Sequence, residues 1–234
     1  MCPGAAKRRV SSSYHFSYFK ENDRKVLLDF IENHPFAFLT GSDHAGHQVA
    51  TQIPVLVEER NGELYLQGHF MRKTDHHKAF IENPKALVVF TGPDTYVSAS
   101  WYSNPQIGST WNYMSVHVSG EMRFMSEEEL VQLMRKTTLK FERGNTQSPT
   151  VFDNLPDAFL SKMLPAIVGF EIRAERIENV FKLSQNRDEA SYSNIIARLE
   201  ALGGDSALIA LEMKKRKEAL FPAVVEWDGS RFDS

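Results

Sequence analysis

Short apolar runs recur along this chain with turn signals between them, and that spacing constrains the fold more than any other feature. Phe36–Thr40 ends at Gly41-Ser42-Asp43, and His47–Glu58 is followed by Asn61-Gly62. Leu64, Leu66 and Gly68 then alternate with Tyr65, Gln67 and His69. The Asn-Gly pair is a two-residue hairpin signal, because both positions tolerate positive φ. Ala86–Thr91, Thr95–Ala99, Trp111–Phe124 and Ala166–Phe181 continue the series, broken by Gly92-Pro93-Asp94 and by the loop Ser100–Ser109. Strands joined by hairpin turns pair antiparallel, and a chain of them argues for a barrel rather than a βαβ sheet. The expectation is a mainly β, α+β chain: an antiparallel barrel of six or seven strands with peripheral helices and a C-terminal helical extension.

The helices announce themselves at their ends. Val26, Leu27, Phe30 and Ile31 form one apolar stripe in Asp23–Glu32, with Asn22 or Asp23 as cap and His34-Pro35 as stop. Thr74 can cap a short helix that Asn83-Pro84 ends. Ser126 and Glu129 make a capping box for a helix running to about Phe141. Asp188–Leu202 and Ser206–Lys217 read as two helices separated by Gly203-Gly204. The organisation expected is a leader (1–13), a barrel domain (14–187), C-terminal helices (188–217) and a tail (218–234).

Composition narrows the function classes. The formal net charge is −3, so a nucleic-acid contact would need a local basic patch. The single cysteine, Cys2, excludes a disulfide framework and a thiolate metal cage, and points to a reducing, cytoplasmic compartment. No apolar run approaches the roughly 18 residues that span a bilayer, and residues 1–13 lack the apolar core of a signal peptide. Neither a Gly-x-Gly-x-x-Gly nor a Walker loop occurs, which argues against the usual dinucleotide and P-loop sites. No nucleophile stands in a recognisable motif with its base.

The segment Gly68–Lys78 carries the densest chemistry. Arg72, Lys73, Thr74, His76, His77 and Lys78 fall within seven positions between two apolar strands. A phosphate needs converging donors: a guanidinium fork, an ammonium, a hydroxyl and the free N–H groups of a helix start. All four are offered here, although a solvated basic helix start has the same sequence. A metal reading of His69, His76 and His77 is weaker, since adjacent helical residues point about 100° apart.

Other clusters have two readings each. Trp101, Tyr102, Trp111 and Tyr113, with Asn112 between the last two, can wall a planar ring or can be core. Lys182-Leu-Ser-Gln-Asn-Arg187 is either a donor-rich site edge or a strand-to-helix linker. Lys214-Lys-Arg-Lys217 can touch nucleic acid or can complement a helix C-terminus.

Several blocks together resemble the PaiB family of FMN-binding split-barrel proteins, relatives of the pyridoxamine-phosphate oxidases. They are Gly68-His-Phe-Met-Arg72, Phe90-Thr-Gly-Pro-Asp-Thr-Tyr-Val-Ser-Ala-Ser-Trp-Tyr102, Thr110-Trp-Asn-Tyr-Met-Ser-Val-His-Val-Ser-Gly120, Ala166-Ile-Val-Gly-Phe-Glu-Ile and Lys182-Leu-Ser-Gln-Asn-Arg187, in that order. The resemblance covers about Tyr14 to Leu202. Where many members have Ala-Arg-Ala-Asn-Pro-His after Gly-His-Phe, this chain has Met-Arg-Lys-Thr-Asp-His.

The resemblance implies a six-stranded FMN-binding split barrel and a homodimer with FMN at the subunit interface. By position, Arg72, Thr74, His76 and Lys78 would hold the FMN phosphate, and Thr51, Gln52 and Pro54 would line the ring. Trp111, Asn112 and Tyr113 would close the site from the partner chain. Lys182, Gln185, Asn186 and Arg187 fall where the oxidases place late substrate- and flavin-contacting residues. No residue is assigned a catalytic role and no metal is implied. The expected function is a flavin-dependent transcriptional regulator. The alternative is a flavin-dependent oxidoreductase acting on a small molecule with NAD(P)H or oxygen. DNA is a possible partner and a membrane is not. A haem-handling split barrel with His117 as ligand is a third reading.

Overall fold

The computed structural model describes residues 16–222; the expected leader and most of the expected tail lie outside them. Among the described residues seven strands and six α-helices follow one another. They are β1 (Phe36–Ser42), β2 (Gln48–Pro54), β3 (Leu56–Arg60), β4 (Glu63–Met71), β5 (Lys85–Val97), β6 (Thr110–Phe124) and β7 (Ile167–Lys182). The helices are α1 (Arg24–Asn33), α2 (Asp75–Glu82), α3 (Glu127–Phe141), α4 (Asp157–Met163), α5 (Glu189–Leu202) and α6 (Gly204–Leu220). The sheet order is β2-β1-β5-β6-β7-β4-β3, and β1–β2, β1–β5, β3–β4 and β4–β7 pair antiparallel. The mainly antiparallel α+β class is as expected; the strand count is seven, not the six that the resemblance implies.

Two strand boundaries differ from the sequence reading, one adding a strand and the other removing one. The run 47–58 is one apolar stretch in sequence, but it breaks at Val55 into β2, paired with β1, and β3, paired with β4. Pro54 has no N–H to continue a ladder, so the chain turns its pairing edge there. Conversely, Gly92-Pro93-Asp94 does not end a strand. The β1 ladder reaches β5 only over Leu87–Val89, so Pro93 interrupts no bond to it, and β5 runs through.

Two compact units arise, and the chain passes between them inside β5, β6 and β7. One comprises Glu21–Gly92 and Ser115–Asn179. Its core holds Leu39, Leu66, Val88, Phe90, Val116, Val118, Phe170 and Ile172, each with no more than a trace of exposure. Burial of each such side chain contributes about 1.5–3 kcal/mol. Phe70 stacks on Phe170 at 5.4 Å and on Phe80 of α2 at 6.4 Å. A satellite cluster of Leu130, Met134, Phe152 and Ile167 lies under α3, with Leu160 and Met163 of α4 against it.

Close backbone approach fixes two glycines. A Cβ at Gly120 would lie 2.0 Å from the Arg173 carbonyl oxygen, and one at Gly68 would lie 2.6 Å from the Phe170 ring. The same unit buries a carboxylate, Glu171 of β7, 4% exposed. Its oxygens accept from Arg60, from Gln67 at 2.7 Å and from Arg123 at 2.8 Å; Arg123 also forks onto Glu129 at 2.8 and 3.0 Å. Burial works against ionisation of Glu171, but the bonds from Gln67 and Arg123 outweigh it and hold its carboxyl below the usual range.

The other unit, among described residues, comprises 16–20, 93–114 and 180–222. The α5–α6 hairpin packs through Tyr192, Ile195, Leu199, Ile209 and Met213, all essentially unexposed. Tyr192 donates its phenol hydrogen to the Met213 carbonyl at 3.0 Å, and burial pushes that phenol up to about 12. Gly203, at φ 72°, makes the turn between the helices. The expected caps are present: Asp23 accepts from Lys25 N–H, Thr74 from His77 N–H, and Ser126 and Glu129 form the capping box.

Candidate functional site

The donor-rich corner Met71–Lys78 lies wholly within the larger unit. β4 ends at Met71, and the Arg72 N–H is tied to the Ala166 carbonyl at 2.9 Å. Lys73 follows at φ 65°, a left-handed conformation that reverses the chain into α2. Thr74 caps the helix and donates its hydroxyl to the Met71 carbonyl at 2.9 Å. α2 then packs on β1 and β2 through buried Ala79 and Phe80. β2, against which α2 lies, is the strand that carries Thr51, Gln52 and Pro54.

The corner has spare positive charge. Arg24, Arg60, Arg123, Arg135, Arg173 and Arg216 each sit on a carboxylate. Arg72 and Lys78 are exposed and have no carboxylate partner among the described residues. Asp75, the nearest acid in sequence, is held by His76 through backbone N–H at 2.7 Å and ring Nδ1 at 3.0 Å; these bonds lower its carboxyl below the usual range. Two exposed, uncompensated cations at the positive end of a helix are the chemistry of an anion site.

The histidines are used differently from the arginine. His76 turns inward, edge-on to Phe70 at 4.9 Å. His77 lies near Phe70 and edge-on to Phe124 at 5.3 Å, and its Nδ1 accepts the Lys73 N–H at 2.9 Å. Burial, then Arg72 and His76, push the His77 imidazole below the ordinary histidine range. Burial alone does the same to His69. His117 approaches Ser115 Oγ at 3.2 Å through Nε2. Among the described residues no group of three His, Cys, Asp or Glu side chains is placed to hold a metal ion.

The remaining candidates lie in the smaller unit. Strand alternation separates the trio on β6. Trp111 is 54% exposed and meets Tyr96 edge-on at 6.1 Å, whereas Asn112 is fully buried. The Asn112 amide accepts from the Ser184 hydroxyl at 3.0 Å and faces Met213 Sδ at 3.6 Å. Tyr113 returns to the side of Trp111 and is half-buried.

In the turn after β7, Lys182 donates to Thr110 Oγ1. Gln185 is folded onto its own turn, accepting from Leu183 N–H at 2.7 Å and donating to the Phe181 carbonyl. Asn186 is exposed, and Arg187 lies over the Tyr102 ring at 4.4 Å with no carboxylate partner among the described residues. Asp188 caps α5 and receives Ser191 and Ser103, which hold its carboxyl down at about 2. Sequence reasoning missed two features: the inward turn of Asn112, which period-two alternation could have revealed, and the backbone bond made by His77, which has no sequence signal.

Comparison with known proteins follows the same lines. A family described as "Putative FMN-binding domain" matches residues 13–176. The protease synthase and sporulation protein PAI 2 of Bacillus subtilis is 32% identical over 183 residues, covering 78% of this chain and 87% of the relative. An uncharacterised protein of Emericella nidulans is 26% identical, covering 82% of this chain and 93% of its own. Among solved structures, an FAD- and haem-binding protein of Mycobacterium smegmatis aligns with TM-score 0.54 at 20% identity, over 70% of this chain and 73% of its own. A flavocytochrome of Azotobacter vinelandii aligns with TM-score 0.53 at 16% identity, over 75% and 74%. At those identities the likeness is one of fold. The family match and the bacterial relative establish more: this chain belongs to the PaiB-type family of FMN-binding split-barrel proteins, and its cofactor is FMN.

Proposed function

We propose that this chain is an FMN-binding regulator of the PaiB type, with the FMN phosphate held at the start of α2. Arg72 and Lys78 supply the charge, Thr74 and the helix start supply neutral donors, and Thr51, Gln52 and Pro54 flank the ring. The observation that carries the reading is the pair of cations at that helix end with no carboxylate partner among the described residues, most of whose other arginines are neutralised. His76, spent on Asp75 and Phe70, shapes the corner from inside. A bound flavin supplies one- and two-electron redox chemistry; the protein's part is to bind, orient and shield it.

In this reading a second copy completes the site. Trp111 and Tyr113 face the ligand, while Asn112 braces its own unit through Ser184. Phe36 and Phe38 on the outer face of β1 are 58% and 40% exposed. An apolar strand face of that kind suits a homodimer contact. Sedimentation should therefore give a dimer, and a monomer at micromolar concentration would count against a shared site. Gel-filtered protein reconstituted with FMN should keep flavin absorbance, and complete loss of it would overturn the assignment.

The bacterial relative's name links that protein to protease synthesis and sporulation. For this chain the regulatory route is flavin state rather than a basic face. Lys214, Lys215, Arg216 and Lys217 each lie within 4.0 Å of Glu200, Glu212 or Glu189. A neutralised run gives little counterion release, so DNA binding with a steep salt dependence is not expected from it. We place the protein in the cytoplasm on its single cysteine.

A second reading, a flavin-dependent oxidoreductase, is favoured by Arg187. Its unpaired guanidinium over Tyr102, beside exposed Asn186, suits an anionic small substrate. Oxidation of NAD(P)H by the holoprotein, accelerated by small carboxylates or phosphates, would select this reading. Its absence with both nicotinamides and oxygen would leave the regulator.

A further inference from the structure

The phosphate corner is built around a backbone that a lysine does not adopt without help. Lys73 sits at φ 65°, a conformation that a side chain disfavours and glycine does not. The residue immediately before it is Arg72, and the residue after it is the cap Thr74, so the left-handed turn sets where both present their donors. What secures the turn is a reciprocal pair of bonds. Thr74 Oγ1 accepts the His77 N–H at 3.3 Å while donating to the Met71 carbonyl at 2.9 Å. His77 Nδ1 reaches back and accepts the Lys73 N–H at 2.9 Å.

This is a capping-box arrangement with an imidazole in place of the usual Glu or Gln at the third helical position, reaching one residue further back. The imidazole suits the task for two reasons. It is clasped between Phe70 and Phe124, which fixes its plane. And it carries no charge as an acceptor, whereas a glutamate would place an anion beside the cations that must receive the phosphate.

We infer that His77 is the positioning residue of the FMN phosphate corner, acting through the Lys73 backbone to set Arg72 and Thr74. The inference rests on the phosphate-corner reading above. It assigns His77 no contact with the cofactor; the imidazole is engaged by the Lys73 N–H and by the Phe70 and Phe124 rings.

The test compares FMN with riboflavin, which lacks the phosphate, by fluorescence titration of the full chain. Four proteins are used: the wild type, His77→Leu, His77→Asn and the double variant His77→Leu/Lys73→Gly. Asparagine keeps an acceptor close to the Nδ1 position, leucine keeps bulk without one, and glycine adopts positive φ unaided. The wild type should prefer FMN, and His77→Leu should lose about tenfold of that preference with riboflavin affinity little changed. His77→Asn and the double variant should recover most of it.

A wild type that binds FMN and riboflavin equally would overturn the phosphate corner itself. A wild type that prefers FMN, with His77→Leu retaining the full preference, would overturn only the role of His77. Equal loss of both ligands in His77→Leu together with a lower melting temperature, unrescued by Lys73→Gly, would make His77 a packing residue and overturn the inference. Loss of FMN preference in His77→Asn as severe as in His77→Leu would do the same.

Discussion

Arg72 is the residue on which the cofactor assignment can be weighed most directly. Its backbone is anchored to Ala166, so removing the side chain should not disturb the turn. Arg72→Ala should weaken FMN binding by about 1.5–3 kcal/mol, the worth of a charge-assisted bond to phosphate; isothermal titration that finds unchanged affinity would remove Arg72 from the site. Sequence pattern singled out Arg72, Thr74 and Lys78 because donor type and order suffice for that. It could not distinguish His77 from a solvated neighbour. The Lys73 N–H bond depends on a backbone φ that no residue type in the segment announces, lysine being an unusual choice for positive φ. Asn112 shows the converse. The motif marked it, and strand alternation turned it inward to Ser184 and Met213.

At the level of elements, caps and turns were readable and strand continuity was less so. Asp23, Thr74 and the Ser126–Glu129 box are local hydrogen-bond chemistry, and each stands where the residues put it. The division of 47–58 at Val55 and the continuity of β5 through Pro93 depend on which neighbours a strand has, which is long-range information. α4 escaped notice because Asp157–Met163 is too short to show a period and forms against the α3 cluster. Gly120 on β6 faces the Arg173 backbone of β7. Gly120→Ala must push a methyl against the Arg173 carbonyl, so its urea midpoint should fall by an equivalent of about 3 kcal/mol. A loss under 1 kcal/mol by the same measurement would mean that the strands part more easily than their contact suggests.

Across the whole molecule, the ion network on Glu171 links β3, β4, β6, β7 and α3. Removing its centre with Glu171→Leu takes an acceptor from Arg60, Gln67 and Arg123, the last of which keeps Glu129, and should cost about 1–3 kcal/mol in chemical denaturation. The network also predicts acid behaviour. Bonds from Arg123, then from Ser126 N–H, lower the Glu129 carboxyl to about 2 from 4.5. A depressed folded-state value stabilises fully above the unfolded value and is lost as pH falls towards the folded one. Melting temperatures of wild type and Glu129→Gln should therefore differ above about pH 4.5 and converge towards pH 2. A difference that stays constant over that window would exclude ionisation of Glu129 as its source.

The passage of the chain between the units inside three different strands also sets an order of events at the ribosome. Residues 93–114 emerge well before 180–222, and both belong to one compact unit. At roughly ten residues per second, several seconds separate the two segments. During that interval Asn112 of β6 has neither Ser184 nor Met213 to meet its amide. Of the segments proposed to contact the ligand, the turn 182–187 is synthesised last. A nascent chain halted before Val180 holds the whole of the larger unit but only two of the smaller unit's three segments, and should be a chaperone client until 180–222 follow.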